Sequence, residues 1–375
     1  MKVLIAGDFC PRYRVQPLFD KDDYSSVLSE AKDVIKQSDY SIVNFECPVV
    51  IKDSKPITKQ GPNLKTNLNG LKGIKYAGFD CVTLANNHFY DFGENGVDDT
   101  LSALAELEID YCGGGKNIAQ ASKIFYKDIN GERLAIINCC EHEFSVAQTN
   151  KAGSNPLNPI QQFYAITKAR ENADYVLVIV HGGHEFYQLP SPRMKEIYRF
   201  FIDAGADAVV NHHQHCYSGY EFYKNKPIFY GVGNFMFDIE PIKTDDTWNY
   251  GYMVELFFAK KKVDYALYPY IQCGSDVSVK MLERNAFDAK LSELNDIIID
   301  DEKLLKATED FYSKTCQAWG KIIEPVSNRY YLAAVKRGLA PSFVSKKRKL
   351  CAENFICCES HRDKLIYYLN KTLKQ

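Results

Sequence analysis

The stretch that decides the fold is AGFDCVTLANNHFYDFG, which spans residues 77–93. Its apolar run at residues 81–85 favours a buried β-strand, and Asn86, Asn87 and His88 follow at the carboxyl end of that strand. Each of these polar side chains would need a hydrogen-bond partner if it lay in an apolar core. Because open α/β sheets hold their chemistry at the carboxyl ends of strands, the stretch predicts a functional site.

The same pattern recurs along the chain. Apolar strands are predicted at residues 3–6, 41–45, 175–180 and 208–210, and helical periodicity between them indicates an α/β protein with parallel strands. The polar residues that follow these strands are Asp8, Asn44 with Glu46, His181, and His213 with His215. Since parallel strands end at one edge of a sheet, we expect these side chains to lie close together.

Length and composition indicate a globular protein. The chain has 375 residues, of which 46% are hydrophobic, enough for a domain of about 250 residues and a smaller appendage. Its formal net charge of -2 provides no basic field for nucleic acid. We therefore expect no nucleic-acid partner.

The cysteines and the first residues bear on location. The chain has 12 cysteines without a Cys-x-x-Cys pair, which argues against a zinc knuckle or a compact disulfide framework and fits a reducing compartment. The first residues read as a strand whose apolar run is too short for a signal peptide or a membrane span. We expect a cytoplasmic protein with no integral membrane segment.

The character of the sequence changes after Asp238. Residues 228–235 are expected to form one more strand with a polar end, whereas residues 252–258 and 263–270 alternate as a hairpin does. Helical periodicity follows from residue 285. We place a boundary near residue 280, with a main domain at 1–280 and a helical C-terminal appendage at 281–375.

The donors at the strand ends suit transition metal ions. A mixture of nitrogen and oxygen ligands favours manganese, zinc or iron over calcium, which takes oxygen alone. The ligand residues we predict are Asp8, Glu46, Asn87, His181, His213 and His215. Six are too many for one catalytic zinc with an open position, so we predict two divalent ions bridged by Glu46. Ions about 3.5 to 4 Å apart lower the pKa of a shared water and hold a phosphoryl or carbonyl oxygen, which favours hydrolysis.

Several motifs in order resemble those of a known family. They are Gly7-Asp8, Asn44-Phe45-Glu46, Ala85-Asn86-Asn87-His88 with Asp91-Phe92-Gly93, His181-Gly182-Gly183-His184-Glu185, His213-Gln214-His215 and Gly233-Asn234-Phe235. Over roughly residues 1–240 the chain resembles the CapA-type poly-γ-glutamate capsule synthesis proteins of the calcineurin-like metallophosphatase superfamily. The resemblance implies a four-layer α/β/β/α sandwich, here followed by the helical appendage, with a dimetal site at the strand ends.

The resemblance also assigns roles. It makes Asp8 a ligand of the first ion, Glu46 the bridge, Asn87 and His181 ligands of the second ion, and His213 and His215 one ligand each. His88 then looks like the catalytic imidazole, a role in which proton transfer contributes about 10²- to 10⁴-fold. Superfamily members carry Asp-x-His where this chain has Asp8-Phe9-Cys10, so Cys10 is either a replacement ligand or a structural thiol.

The remaining candidates lie around the predicted ligands. Asn44 and Asn86 are expected to bind substrate or support the ligands, and His184 and Glu185 to orient a metal-bound imidazole. Arg14, with Arg12, is either a fork for phosphate or carboxylate or a solvated loop residue.

Two classes of function remain open at this point. The first is a dimetal hydrolase, most simply a phosphoesterase, linked to capsule or exopolysaccharide synthesis and acting on an anionic small molecule or polymer. The second is a non-hydrolytic accessory or binding protein of capsular polymer synthesis, with capsule-synthesis proteins as partners. An amide hydrolase on a γ-linked polymer is a third alternative, because a dimetal site also polarises carbonyls.

Overall fold

Two β-sheets form the centre of the structure, a computed structural model that describes residues 1–51, 54–315, 330, 334, 337–340 and 345–373. The strands of the first sheet are β1 (Lys2–Cys10), β2 (Tyr40–Phe45), β3 (Cys81–Thr83), β4 (Asp110–Cys112), β13 (Asn234–Phe237), β14 (Tyr250–Ala259), β15 (Lys262–Gln272) and β16 (Val279–Met281). Their order is β16-β15-β14-β1-β2-β3-β4, and β13 also pairs with β1. The strands β1 to β4 are parallel, which brings their carboxyl ends to one edge.

The second sheet has six strands in the order β11-β12-β10-β9-β7-β6. They are β6 (Phe125–Ile129), β7 (Glu132–Cys140), β9 (Tyr175–His181), β10 (Ala208–His212), β11 (Tyr220–Tyr223) and β12 (Lys226–Phe229). A separate two-stranded ribbon joins β5 (Gly114–Gly115) and β8 (Gly153–Ser154).

Helices cover both sheets. They are α1 (Gln16–Phe19), α2 (Ser25–Ile35), α3 (Leu68–Ala77), α4 (Gly93–Glu106), α5 (Ile118–Ala121), α6 (Pro159–Asn172), α7 (Pro192–Ala204), α8 (Asp288–Ile299), α9 (Asp301–Thr315), α10 (Lys346–Cys357) and α11 (Glu359–Leu373), with a 3₁₀ turn at Thr247–Asn249. Their ends carry the expected signals. The Ser191 side chain caps the first turn of α7, and Gly205 ends it in the left-handed conformation.

The core is divided by the alternation of side chains along the strands. Val3 and Ile5 of β1 belong to the cluster between the sheets, together with Val178 of β9. Leu4 and Ala6 point to the other face and join the cluster under α2, α3 and α4. Helices α6 and α7 contact the second sheet. These contacts confirm the predicted four-layer α/β/β/α sandwich.

One predicted strand is wrong. Residues 228–235 do not form a single strand, because β12 lies in the second sheet whereas β13 pairs with β1 in the first. Gly233 adopts a φ of 81° between them, a conformation that lets the chain turn from one sheet to the other. The crossing places Asn234 opposite Asp8, at the edge where the predicted ligands lie.

The C-terminal half begins as predicted with the β14–β15 hairpin. Helices α8 to α11 follow, and Leu291, Leu294 and Ile298 of α8 are buried in the cluster between the sheets. Part of the predicted appendage, including Cys316, lies outside the described residues. Among the residues that the structure describes, none belongs to a helix long and apolar enough to cross a membrane.

Candidate metal centre

The predicted ligands meet at the carboxyl edge of both sheets. Potential ligand atoms of Glu46, His181 and His213 lie within 4.8 Å of one another, and so do those of Asp8, Glu46 and His215. All five residues are buried. Glu46 is the member that the two groups share, which is the arrangement predicted for a bridging carboxylate.

Glu46 provides the test of whether these residues suit cations. It is 0% exposed, and neither carboxylate oxygen accepts a hydrogen bond from any residue that the structure describes. Burial, and then the neighbouring Asp8 carboxylate, raises the pKa of Glu46 well above its ordinary value. A buried carboxylate without hydrogen-bond donors is costly unless a cation neutralises it. The residues present therefore fit divalent metal ions.

The group formed by Glu46, His181 and His213 centres on His181. Its Nε2 lies 3.1 Å from Asn87 Oδ1, 3.0 Å from His213 Nδ1 and 3.5 Å from Glu46 Oε1. Burial, and then the charge of His213, lowers the pKa of His181 well below its ordinary value. Burial also lowers the pKa of His213. Both rings are therefore neutral near pH 7, the form in which an imidazole binds a metal.

In the group formed by Asp8, Glu46 and His215, Asn234 holds the His215 ring in place. The His215 ring lies between two carboxylates, with Nδ1 3.6 Å from Asp8 Oδ2 and Nε2 3.7 Å from Glu46 Oε1. Asn234 Oδ1 is 2.9 Å from His215 Nδ1 and accepts its hydrogen, while Asn234 Nδ2 donates to the His215 carbonyl. This contact leaves Nε2 as the ligand atom, in the way that outer hydrogen bonds orient metal-binding imidazoles.

Asn44 and Asn86 support the ligands from within the first sheet. Asn44 Nδ2 donates to Asp8 Oδ1 at 2.7 Å and lies 3.2 Å from His181 Nδ1. Its Oδ1 accepts hydrogen bonds from Thr83 Oγ1 and Asn86 Nδ2. Parallel pairing sets Asp8 beside Asn44 and Asn44 beside Thr83. The amide of Asn44 therefore links the two ligand groups.

The backbone at the site is shaped for these contacts. His213 and His215 have φ angles of 89° and 54°, a left-handed conformation that costs about 1–3 kcal/mol each and tends to occur at functional sites. A Cβ on Gly7 would lie 1.9 Å from the Gly233 carbonyl oxygen. Only glycine allows β1 to approach Gly233 so closely, and this approach positions Asp8, whose amide donates to that same carbonyl.

His88 lies beside the ligand groups and is held by two charged residues. Its Nδ1 is 2.7 Å from Asp91 Oδ2 and 3.1 Å from Lys59 Nζ, and Lys59 also forms an ion pair with Asp91. Burial, and then the charge of Lys59, lowers the pKa of His88 to about 4. Because both neighbours contact Nδ1, Nε2 is the ring atom left to meet a substrate.

Arg14 and Cys10 lie outside the two ligand groups. Arg14 pairs with the buried Asp238, its Nη2 2.6 Å from Oδ1, and donates to the carbonyls of residues 273–275. It is therefore engaged in the fold and is neither a substrate fork nor a solvated residue. Cys10 belongs to neither ligand group of the described chain and is buried next to the Cys47 thiol.

His184 has a different partner from the one predicted, whereas Glu185 stays a candidate for substrate binding or for support of a ligand imidazole. His184 Nε2 lies 2.9 Å from the hydroxyl of Tyr312 on α9 and does not orient a ligand imidazole in this way. Glu185 lines a cavity of about 450 Å³ that also contains Asn87 and His88. Its other lining residues include Lys59, Glu143 and Phe186, and Phe311, Asn354, His361 and Lys364 from the C-terminal helices.

Sequence reasoning missed several of these residues. Lys59 lies in a polar stretch without a strand-end motif, yet its side chain is 3% exposed. Asp91 and Asn234 stood in the motifs quoted above, and a search for carboxamide or carboxylate partners of each predicted histidine would have found them. Tyr312 and Lys364 carried no comparable signal, because they are distant in sequence from every motif.

The layered fold and this donor cluster define a four-layer α/β/β/α protein with a candidate metal centre at the carboxyl ends of its strands. The family model described as bacterial capsule synthesis protein PGA_cap matches residues 2–239, more than half of the chain. The chain therefore belongs to this capsule synthesis family, as the motifs had indicated.

Two curated relatives and one solved structure illustrate the similarity. The chain is 34% identical over 255 residues to the capsule biosynthesis protein CapA of Bacillus anthracis, covering 66% of this chain and 62% of that protein. It is 32% identical over 244 residues to the PGA biosynthesis protein CapA of Bacillus subtilis (strain 168), covering 64% of each. This chain thus spans less than two thirds of either relative. A putative 5'-nucleotidase from Staphylococcus aureus, solved in complex with alpha-ketoglutarate, shares 13% identity and a TM-score of 0.46 over 79% of this chain and 58% of that one.

Proposed function

We propose that the protein is a metal-dependent hydrolase that cleaves phosphoesters of an anionic small molecule or polymer during capsule or exopolysaccharide synthesis. The observation that carries this proposal is Glu46, buried between two ligand groups with no hydrogen bond to either oxygen. Asp8, Glu46 and His215 would hold one ion, and Glu46, Asn87, His181 and His213 the other. Two manganese, zinc or iron ions would supply Lewis acidity toward a phosphoryl oxygen and a water of lowered pKa.

His88 would transfer a proton to or from the substrate. Asp91 and Lys59 fix its ring through Nδ1, so Nε2 is the atom that accepts or returns a proton at the substrate. Both supporting side chains are almost fully buried, which keeps the ring in one orientation. A positioned imidazole of this kind contributes about 10²- to 10⁴-fold to a rate.

The test combines metal analysis with a panel of phosphomonoesters and phosphodiesters. We expect the wild-type protein purified with manganese or zinc to hold close to two ions and to hydrolyse at least one ester. Asn87→Ala should lose part of the metal, whereas His88→Ala should keep it and lose rate by about 10²- to 10⁴-fold. Asn172→Ala, at the exposed end of α6, is the matched control. Absence of bound metal, or activity of both site variants equal to that of the control, would refute the hydrolase.

A non-hydrolytic accessory role is the alternative. The names of the two CapA relatives give a process, capsule or PGA biosynthesis, and not a reaction. In that case the same cleft would bind an anionic polymer or a capsule-synthesis protein. Metal binding with no turnover of any ester or γ-glutamyl polymer would favour this role, and turnover of the polymer alone would favour an amide hydrolase.

The cytoplasmic location stays a prediction. It is supported by the 11 cysteines within the described residues, all of which are free thiols. Thiol titration of the protein isolated under non-reducing conditions tests it. We expect the thiols to react once the protein is denatured, whereas disulfides would contradict the expectation.

A further inference from the structure

We propose that Phe186 forms an aromatic platform beside the candidate metal centre, on which a ring in the organic group of the substrate packs. The inference rests on the proposed function for the phosphoester that carries this ring. It adds the class of substrate, which is a phosphoester whose organic group contains a sugar ring or a nucleobase.

Phe186 lies next to the predicted metal ligands. Its backbone N–H donates to the carbonyl of Gln214 at 2.8 Å, and Gln214 stands between the predicted ligands His213 and His215. The centroid of the Phe186 ring is 6.3 Å from that of the His215 ring. Phe186 also lines the cavity of about 450 Å³ that contains His88. A ligand ring packed on Phe186 would therefore lie beside the phosphoryl group that the ions hold.

The Phe186 ring is supported by a buried tryptophan. It stacks on Trp248 with ring centroids 5.7 Å apart and planes inclined by 29°. Trp248 is 4% exposed, and its Nε1–H donates to the carbonyl of Phe237 at 2.7 Å. Lys243 Nζ lies 5.3 Å from the centroid of the Phe186 ring and pairs with Asp246 at 3.1 Å. Phe186 is nevertheless 49% exposed, so part of its surface is free to meet a ligand.

The backbone of Phe186 is strained. Its φ angle of 61° is in the left-handed region, which a bulky side chain seldom adopts. The turn itself would favour glycine or asparagine, so the presence of phenylalanine at this position indicates a use for the ring. Strain of this kind tends to occur at active sites and at sites that hold ligands.

Phe311 is the other phenylalanine among the described residues that line this cavity, and it is already engaged. Its ring stacks on Tyr187 with centroids 4.1 Å apart, and Lys364 Nζ lies 4.7 Å from its centroid. Phe186 is therefore the better placed of the two rings. An aromatic surface stacks on a nucleobase and packs against the apolar face of a sugar, and a cavity of this volume is of the size that binds small molecules.

Equilibrium binding of phosphonates tests the platform without relying on catalysis. Calorimetry in the presence of manganese compares methylphosphonate, which has no ring, with a glucosyl C-phosphonate and with the phosphonate analogue of uridine monophosphate. We expect the wild type to bind at least one of the two ring-bearing ligands about tenfold or more tighter than methylphosphonate. Phe186→Leu, which has no aromatic face, should remove most of this gain, and Phe186→Tyr should keep it.

Phe222→Leu is the matched control, because Phe222 is 47% exposed and lies on β11, outside the residues that line the cavity. This control should keep the full gain. Thermal unfolding of each variant excludes misfolding, and Phe186→Asn, whose residue type tolerates the left-handed backbone, replaces Phe186→Leu if the latter does not fold. The sugar and nucleobase arms distinguish which ring is preferred.

Loss confined to the ring-bearing phosphonates identifies the platform, because displaced metal ligands would weaken the binding of all three. The platform would be overturned by equal binding of all three phosphonates to the wild type or by no binding of any of them. A gain that survives in Phe186→Leu, or an equal loss of all three ligands in that variant, would also overturn it. A gain that depends on Phe186 in a protein that hydrolyses no ester would support the platform and refute the proposed hydrolase. Hydrolysis of an ester together with a gain that does not depend on Phe186 would refute the platform alone.

Discussion

At the scale of single residues, Glu46 is the side chain on which the candidate metal centre depends. It is the only residue common to the two ligand groups found among the described residues, and both of its oxygens are buried without donors. Its place in the motif Asn44-Phe45-Glu46 was readable from the sequence, and its bridging role stays a prediction. The distances to His181 and His215 required the two sheets to be assembled.

Glu46→Gln should remove the gain in stability that metal confers. An ion bound at a hundred times its Kd stabilises a protein by about 2.7 kcal/mol, and loss of the shared ligand weakens both groups. We expect manganese to raise the melting temperature of the wild type but not that of the variant. The metal-free variant should melt no lower than the metal-free wild type, because a buried carboxylate with a raised pKa has been removed. Asp264→Asn, on an exposed strand position, serves as the control, and an unchanged metal response in Glu46→Gln would contradict the bridge.

Asp91→Asn should destabilise the fold as well as the site. Asp91 is 0% exposed and pairs with Lys59, whose side chain is 3% exposed, so the substitution leaves a buried ammonium group unpaired. Breaking a buried pair in this way costs about 3–5 kcal/mol. Urea unfolding checks the loss, and the double variant with Lys59→Met should recover much of it. Asp98→Asn, which breaks the exposed pair with Lys116, should leave the unfolding curve unchanged.

At the scale of elements, the termini of helices and the register of strands determine where the chemistry lies. Helix α7 begins and ends at residues whose types are typical of helix ends, because Ser191 caps its first turn, Pro192 follows and Gly205 ends it. The prediction of a single strand at residues 228–235 was wrong, because an apolar run that is interrupted by glycine does not show which sheet each half joins. The pairing of β13 with β1 in the first sheet brought Asn234 next to His215.

The start of helix α11 should make stability depend on pH. His142 Nδ1 lies 2.5 Å from Glu359 Oε1, and this hydrogen bond raises the pKa of His142 above its ordinary 6.5. A raised folded-state pKa means that protonation stabilises the fold fully below about pH 6.5 and that this contribution disappears as the pH rises through the higher folded value. Urea unfolding from below about pH 6 to above about pH 8 should show this decline in the wild type and less of it in His142→Gln. Identical pH profiles would refute the assignment, and Glu359→Gln should behave like His142→Gln.

At the scale of the whole molecule, the C-terminal helices are part of one packed structure with the sheets. Phe287, Leu291, Leu294 and Ile298 are buried in the cluster between the sheets, and α9 and α11 line the cavity. The boundary placed near residue 280 marks a change in secondary structure. The packing across it indicates that the two parts depend on each other.

A fragment of residues 1–280 should therefore be unstable. The fragment lacks α8, so the surface that contacts Leu291, Leu294 and Ile298 becomes exposed. The burial of each of these side chains stabilises the fold by about 1.5–3 kcal/mol. We expect the fragment to aggregate or to melt well below the full chain, which should unfold in one cooperative transition. A soluble fragment with the melting temperature of the full chain would show that the appendage is an independent unit.

The sequence by itself determined the layered α/β class and the family, and it predicted six strand-end ligands, because apolar periodicity and short polar motifs are local properties of the chain. It also indicated that Glu46 would be shared, since the donors exceeded what one ion needs. Only the tertiary structure decided that Asn234 orients His215, that Lys59 is buried against Asp91 and that Lys364 lines the cavity. The physical reason is that these contacts join residues from different sheets and helices, and their partners are chosen by packing rather than by sequence spacing.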